Sequence, residues 1–449
     1  MVGMIIENVA ICTVDSAGTE YANGYVVLDG EWITAVGAGP APSTGAPQEH
    51  RVDGSGCLVT PGLINTHHHL YQWATRGHAV DAGLFDWLTA LYPVWSRFDA
   101  EITHAAASAG LARLALTGTS TVADHHYIFP HGGGDQVGAV LAAAERIGTR
   151  CHLVRGSMDR GAREGGLPPD ELVEDTEEAL SGTEAAIEVH HDPAPNARVR
   201  IAVGPCSPFS VTERLMRGAA ELARRKEVRL HTHLAETAEE DRRCRAEFGL
   251  TPAQYAERLG WLGADVWLAH TVHPDPEAIG LFGATGSGSA HCPSSNGRLG
   301  SGIAPVRALL DAGVPVGLGV DGAASNEAGG LAEEMRAALV QARQRDGTGA
   351  LTVREALRMA TMGGARCLGR DRELGSIEAG KLADIAVWRL DGFEHAGIAD
   401  PVAALVLGAP APLELLLVGG KPVVSHGEPH GWSPRELAAE LRAATGRLA

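Results

Sequence analysis

Lysine is nearly missing from this chain: Lys226, Lys381 and Lys421 are the only three among 449 residues, although arginine is abundant. Mechanisms built on an active-site lysine therefore have very few candidates. Seven cysteines are scattered as Cys12, Cys57, Cys151, Cys206, Cys244, Cys292 and Cys367, with no CxxC pair. That spacing argues against a disulfide scaffold and a structural zinc knuckle, and it suits a reducing compartment. No run of about 18 apolar residues exists, so no membrane-spanning helix is expected. Residues 1–8 lack the basic stretch and apolar core of a signal peptide, which makes the cytoplasm the expected location. Two motifs are also absent: G-x-G-x-x-G after the first strand-like run, and H-x-E paired with P-C-x-x-C. The first absence disfavours a dinucleotide fold, the second the cytidine-deaminase type of zinc site. A net charge of -18 disfavours nucleic acid and anionic membranes as partners, since both repel it.

What remains describes an ordinary globular chain, 45% hydrophobic and 20% charged, long enough for one large and one smaller domain. Residues 9–14, 24–28 and 32–37 read as strands, and the Gly/Pro-rich stretch 37–47 as a surface loop. The far end has the same texture at 383–388 and 413–424. Neither end has enough strands to cover its own apolar face, so both are expected to join in one small β-sandwich.

Between them, strand-like runs end near Thr66, His125, Gly156, Cys206, Glu236, His270, Cys292 and Asp321. Helical patterns fill the intervals, among them 101–117, 136–147, 212–225, 252–262 and 330–345. Eight alternations over this length predict an α/β fold, a (β/α)8 TIM barrel. The expected division puts the N-terminal half of the β-sandwich at 1–60, the barrel at 61–374 and the C-terminal half of the sandwich at 375–430. A final helix is expected at 431–449, with Ser433 as its cap.

Chemistry-bearing residues gather at the strand tips, where barrel enzymes place their sites. Alternation along Asn65-Thr66-His67-His68-His69 sends His67 and His69 to one side, half of a metal site, and His68 to the other. In Leu230-His231-Thr232-His233-Leu234-Ala235-Glu236, His233 stands nearer the tip, and Glu236 follows where a carboxylate can move protons without blocking an ion. His231 sits deeper, as a ligand neighbour or a packed core histidine. His270 ends the sixth strand. In Val316-Gly317-Leu318-Gly319-Val320-Asp321-Gly322 the two glycines and Asp321 face inward, leaving room beside a carboxylate; a plain Asp-Gly turn is the alternative. Gln72 can both donate to and accept from a substrate. Arg155, Trp95, His125, Tyr127 and His273 are further candidates for the pocket, while His131, His190 and His191 lie in polar, exposed loops. Cys206 reads as a buried, inert thiol.

These motifs, with His291-Cys292-Pro293-Ser294-Ser295-Asn296 and residues 375–384, resemble the aminohydrolase branch of the amidohydrolase superfamily over almost the whole chain. The resemblance implies that His67, His69, His233 and Asp321 bind one divalent ion, zinc with ferrous iron as the alternative, and that Glu236, His270 and Asp321 are catalytic. Two-metal members carry a lysine on the fourth strand, and residues 199–206 contain none. It further implies hydrolytic deamination of a small purine-like heterocycle, 8-oxoguanine foremost, with guanine, isocytosine or an s-triazine behind it, in a homo-oligomer. A barrel that merely stores metal is the non-enzyme alternative. Gly297 and Gly300 stand where bulkier residues are common in that branch, which suggests a widened mouth.

Overall fold

Eight short apolar strands run parallel, each followed by helix: β1 (Leu63–Asn65), β2 (Thr119–His126), β3 (Arg150–Ser157), β4 (Val199–Pro205), β5 (Leu230–Leu234), β6 (Val266–His270), β7 (Gly288–His291) and β8 (Val316–Leu318). They pair in sequence order in one sheet. This computed structural model describes residues 3–42 and 49–448. The sheet closes between β1 and β8, where Thr66 N and Oγ1 both donate to the Leu318 carbonyl (2.9 and 2.8 Å). Beyond that point a two-residue parallel ladder aligns Asp321 with His68 and Gly322 with His69. Gly319 permits this approach, because a Cβ there would stand 2.8 Å from the Cβ of His67.

Polar side chains start the helices where the sequence placed them: Asp99, Asp135, Thr212 and Ser433 each accept from a first-turn backbone N–H. The helix expected over 252–262 stops at Arg258, because Gly260 takes a left-handed conformation and Trp261 N turns back to the Ala256 carbonyl. His190 is the last residue of a helix (Thr176–His190) rather than part of a loop, and half-buried His191 follows it, its Nδ1 accepting from the Ile201 N–H (3.1 Å).

Both chain ends join in a single nine-stranded sheet. Its centre is the antiparallel pair Cys57–Pro61 with Ile385–Arg389, which brings the N-terminal and C-terminal strands together. Alternation buries both faces: Leu58, Ala386, Trp388 and Leu416 join the barrel's outer core, and Val59, Ile385, Val387 and Leu417 form a core of their own. Of the expected loop at 37–47, Gly37 and Ala38 belong to the strand Trp32–Ala38, residues 39–42 lie outside any helix or strand, and 43–47 lie outside the described residues, as do Met1 and Val2. All seven cysteines are free and buried. Among the described residues no helix is long and apolar enough to cross a membrane.

Candidate metal centre and active site

The closing ladder sets a carboxylate against two imidazoles. Asp321 Oδ1 lies 3.2 Å from Nε2 of His67 and 3.2 Å from Nε2 of His69, and Nε2 of His69 lies 3.1 Å from Nε2 of His233. All four side chains are buried, with their inward atoms within 4.8 Å of one another.

Hydrogen bonds behind the rings fix which atoms carry protons. His69 Nδ1 is 2.7 Å from the His125 carbonyl and His233 Nδ1 is 2.5 Å from the Cys206 carbonyl. A carbonyl only accepts, so both rings hold their proton on Nδ1 and present a lone pair at Nε2. Burial holds His67 and His233 neutral, well below the usual imidazole range. Asp321 turns Oδ1 toward the rings of His67 and His69. Ser295 Oγ and Ser325 Oγ donate to its other oxygen at 2.5 and 3.2 Å.

The result is a set of converging lone pairs. His67 Nε2 and Asp321 Oδ1 are both buried and without a hydrogen-bond partner, an arrangement that costs energy unless a cation sits between them. Separations of 3.1–3.2 Å match the edge of a tetrahedron with metal bonds of about 2.0–2.1 Å, about 3.3 Å. Three neutral imidazoles and a carboxylate fit a divalent ion such as zinc.

Glu236 and His270 stand beside this set. His270 Nε2 lies 3.7 Å from Glu236 Oε2 and 4.0 Å from Asp321 Oδ2, while its Nδ1 is bonded to Asn296 Oδ1 (2.9 Å). Burial, aided by the charge of Asp321, pushes the Glu236 carboxyl up to about 8. Four non-glycine residues at these strand tips have positive φ: Ala235 (54°), His270 (71°), Thr271 (44°) and Asp321 (60°). Strain of this kind is retained where the surrounding structure overrides it, and functional sites are where it clusters.

A pocket opens over these groups, lined on the polar side by Gln72, His69, His233, Glu236, His270 and Asp321. Neither amide atom of buried Gln72 makes a hydrogen bond. Its amide fits because residue 322 is glycine: a Cβ there would stand 1.7 Å from Gln72 Oε1. Tyr127 and Cys206 also line the pocket, and burial raises the Cys206 thiol to about 12, so it stays protonated.

Three candidate substrate contacts, Trp95, Arg155 and His273, lie elsewhere. Trp95 is fully buried in an aromatic cluster with Tyr71, Trp87 and Tyr92, its indole N–H on Thr75 Oγ1 (3.1 Å). Arg155 is spent on a two-pronged ion pair with Glu174 and a stack over Phe129 (3.8 Å). His273 bonds the Ser301 carbonyl (2.6 Å) on another face. Gly297 points its missing Cβ toward Gln341, Gly300 serves a left-handed turn (φ 70°), and neither lines the pocket. The residues missed are the apolar wall: Leu84, Trp87, Leu88 and Tyr92 from the helix Leu84–Trp95, with Phe209 and Leu299. Their i, i+3, i+4 spacing was the available signal.

Comparison with known proteins extends this geometry to the whole chain. An 8-oxoguanine deaminase of Pseudomonas aeruginosa is 45% identical over 433 residues, 96% of either chain. An isoxanthopterin deaminase of an unknown prokaryotic organism is 38% identical over 92% of this chain and 89% of its own. Among solved structures, an atrazine chlorohydrolase from Arthrobacter aurescens complexed with zinc superposes with a TM-score of 0.92 at 35% identity, covering 98% of this chain and 100% of that one. Residues 58–423 match the family model described as the amidohydrolase family, and the chain belongs to that family.

Proposed function

We propose that the chain is an aminohydrolase that deaminates a purine-like heterocycle, with 8-oxoguanine as its first candidate substrate. The observation that carries this reading is the buried set of His67, His69, His233 and Asp321 beside Glu236, in a chain 45% identical along its length to an 8-oxoguanine deaminase. The residues fit one divalent ion, zinc by analogy with the zinc-bound relative. When bound, such an ion supplies water activated as a nucleophile near neutral pH.

The chain's own groups account for the proton movements. Water adds to the ring carbon bearing the amino group, and a C–O bond forms. His270, whose Nε2 lone pair faces Asp321 and Glu236, accepts the proton that water releases, with Asp321 beside it. Glu236 holds its proton at neutral pH and delivers it to the adjacent ring nitrogen, making the carbon electrophilic. His270 then returns its proton to the amino nitrogen, the C–N bond breaks with its electron pair leaving in ammonia, and the hydroxyl gives its proton to Glu236 as the C=O bond forms. Gln72 reads a lactam edge, donating from Nε2 to a ring carbonyl and accepting at Oε1 from a ring N–H. Leu84, Trp87, Leu88 and Leu299 keep bulk water from the reacting carbon.

A panel assay of ammonia release tests the substrate reading. Expected is the highest kcat/KM on 8-oxoguanine, followed by guanine and isocytosine. A pterin or s-triazine at the head of the panel would replace it, a second reading kept open by the isoxanthopterin and atrazine relatives. Inactivity on every ring would overturn both.

A further inference from the structure

Beneath the four inward-facing atoms lie two fully buried side chains that the chemistry above leaves unused, His231 and Trp267. His231 Nδ1 is 2.7 Å from the Trp267 carbonyl. The carbonyl must accept, so the ring donates there and keeps a lone pair at Nε2. That lone pair lies 2.7 Å from Nδ1 of His67. Two lone pairs cannot sit so close, so His67 carries its proton on Nδ1 and donates it to His231. Its Nε2 is then a lone pair facing Asp321.

Trp267 holds both partners. Its ring stacks on His231 at 4.4 Å and 20°, and its indole N–H donates to the carbonyl of Thr66 (3.0 Å), the residue before His67. His69 and His233 are each oriented by a main-chain carbonyl; His67 is the one histidine of the set oriented by another side chain.

We infer that His231, clamped by Trp267, is a positioning residue for the metal: it fixes the proton of His67 on Nδ1 and aims Nε2 at the ion. The inference rests on the one-ion reading above. His67, His125 and His231 also form a second cluster of ring nitrogens within 4.8 Å, which a second ion would claim instead. The 2.7 Å contact opposes this, because two nitrogens on one tetrahedral ion stand about 3.3 Å apart. His125 is further committed through Nε2 to the Gly204 carbonyl (2.7 Å). A proton, not a cation, joins His67 to His231.

His231→Phe keeps the stack and removes the acceptor. Partners behind metal-ligating histidines typically carry about 10–100-fold in metal affinity, and that rise in the zinc dissociation constant is expected by chelator competition. The deficit in turnover should shrink as free zinc is raised. His231→Gln, able to accept from His67 and donate to Trp267, should recover part of the affinity. Should the phenylalanine variant fail to fold, the unmodified protein loaded with cobalt decides: three solvent-exchangeable imidazole protons are expected by NMR, one per ligand histidine. Unchanged zinc affinity in His231→Phe, only two such protons, or two ions per chain with one lost in the variant would overturn the role of His231. A wild-type chain that binds no zinc would instead overturn the metal reading itself.

Discussion

Glu236 is useful because it is a carboxyl that keeps its proton where most carboxyls have lost theirs. Burial with Asp321 nearby places it at about 8, so below that pH it is an acid ready to donate, and above it the proton is gone. Turnover should therefore hold through neutrality and fall as pH climbs past that value; a bound cation moves the limb to lower pH without changing its direction. Glu236→Gln should retain metal and lose about 10²–10⁴-fold in turnover, with a residual rate flat where the wild type falls. Metal content and ammonia release on the same preparation check both halves. Equal activity in the variant would remove Glu236 from the chemistry. Gln72 is a separate case, since its unpaired amide atoms point to recognition instead of proton transfer. Gln72→Leu should lower kcat/KM about 10-fold on substrates with a lactam edge, the worth of one hydrogen-bonded pair in a buried site. Loss of equal size on a ring lacking that edge would argue for a packing role.

At the scale of elements, the short turn after β5 matters most. Glu240, buried on the helix Ala238–Phe248, accepts from the backbone N–H of Ala235 (2.9 Å) and Glu236 (2.8 Å). One carboxylate thus ties down a strained residue, Ala235, and the base of the proton donor. Glu240→Ala leaves two buried N–H groups unpaired, a cost of about 1–3 kcal/mol each. It should depress kcat with little change in metal content, read by steady-state kinetics beside metal analysis; loss of zinc in proportion to activity would contradict this. Strand tips of this kind were legible in the sequence because period-two alternation sends His67, His69 and His233 to one face whatever surrounds them. The pocket wall was less so. Leu84, Trp87, Leu88, Leu91, Tyr92 and Trp95 lie on one helix at helical spacing, yet Trp87 meets the pocket and Trp95 the core. Helical period tells which residues share a face, not what that face meets. Arg155 shows the same limit, since its partner Glu174 is brought to it by the fold.

Across the whole molecule, a buried ion pair adds to the apolar packing between the barrel and the sheet made by the chain ends. Arg150 at the start of β3 grips Asp384 with Nε and Nη2, both at 2.9 Å, and Asp384 also accepts from the backbone of Gly419 (2.7 Å). Union of the two ends was legible because neither had strands enough alone; this bond was not, because its partners are 234 residues apart. Asp384→Asn would leave a guanidinium buried without its counter-charge, which typically costs about 3–5 kcal/mol. Burial alone would raise the Asp384 carboxyl, but Arg150 more than offsets it and holds it below the usual range. A carboxyl lowered on folding stabilises fully above its unfolded value, about 3.9, and loses that contribution as pH falls through the lower folded one. The gap in Tm between wild type and Asp384→Asn should thus be widest at neutral pH and narrow in acid. Replacing both partners, Arg150→Met with Asp384→Leu, should cost less than Asp384→Asn alone, because no charge is stranded. A gap in Tm that stays constant from neutrality into acid would show that Asp384 holds the two units together by shape and hydrogen bonds, not by charge.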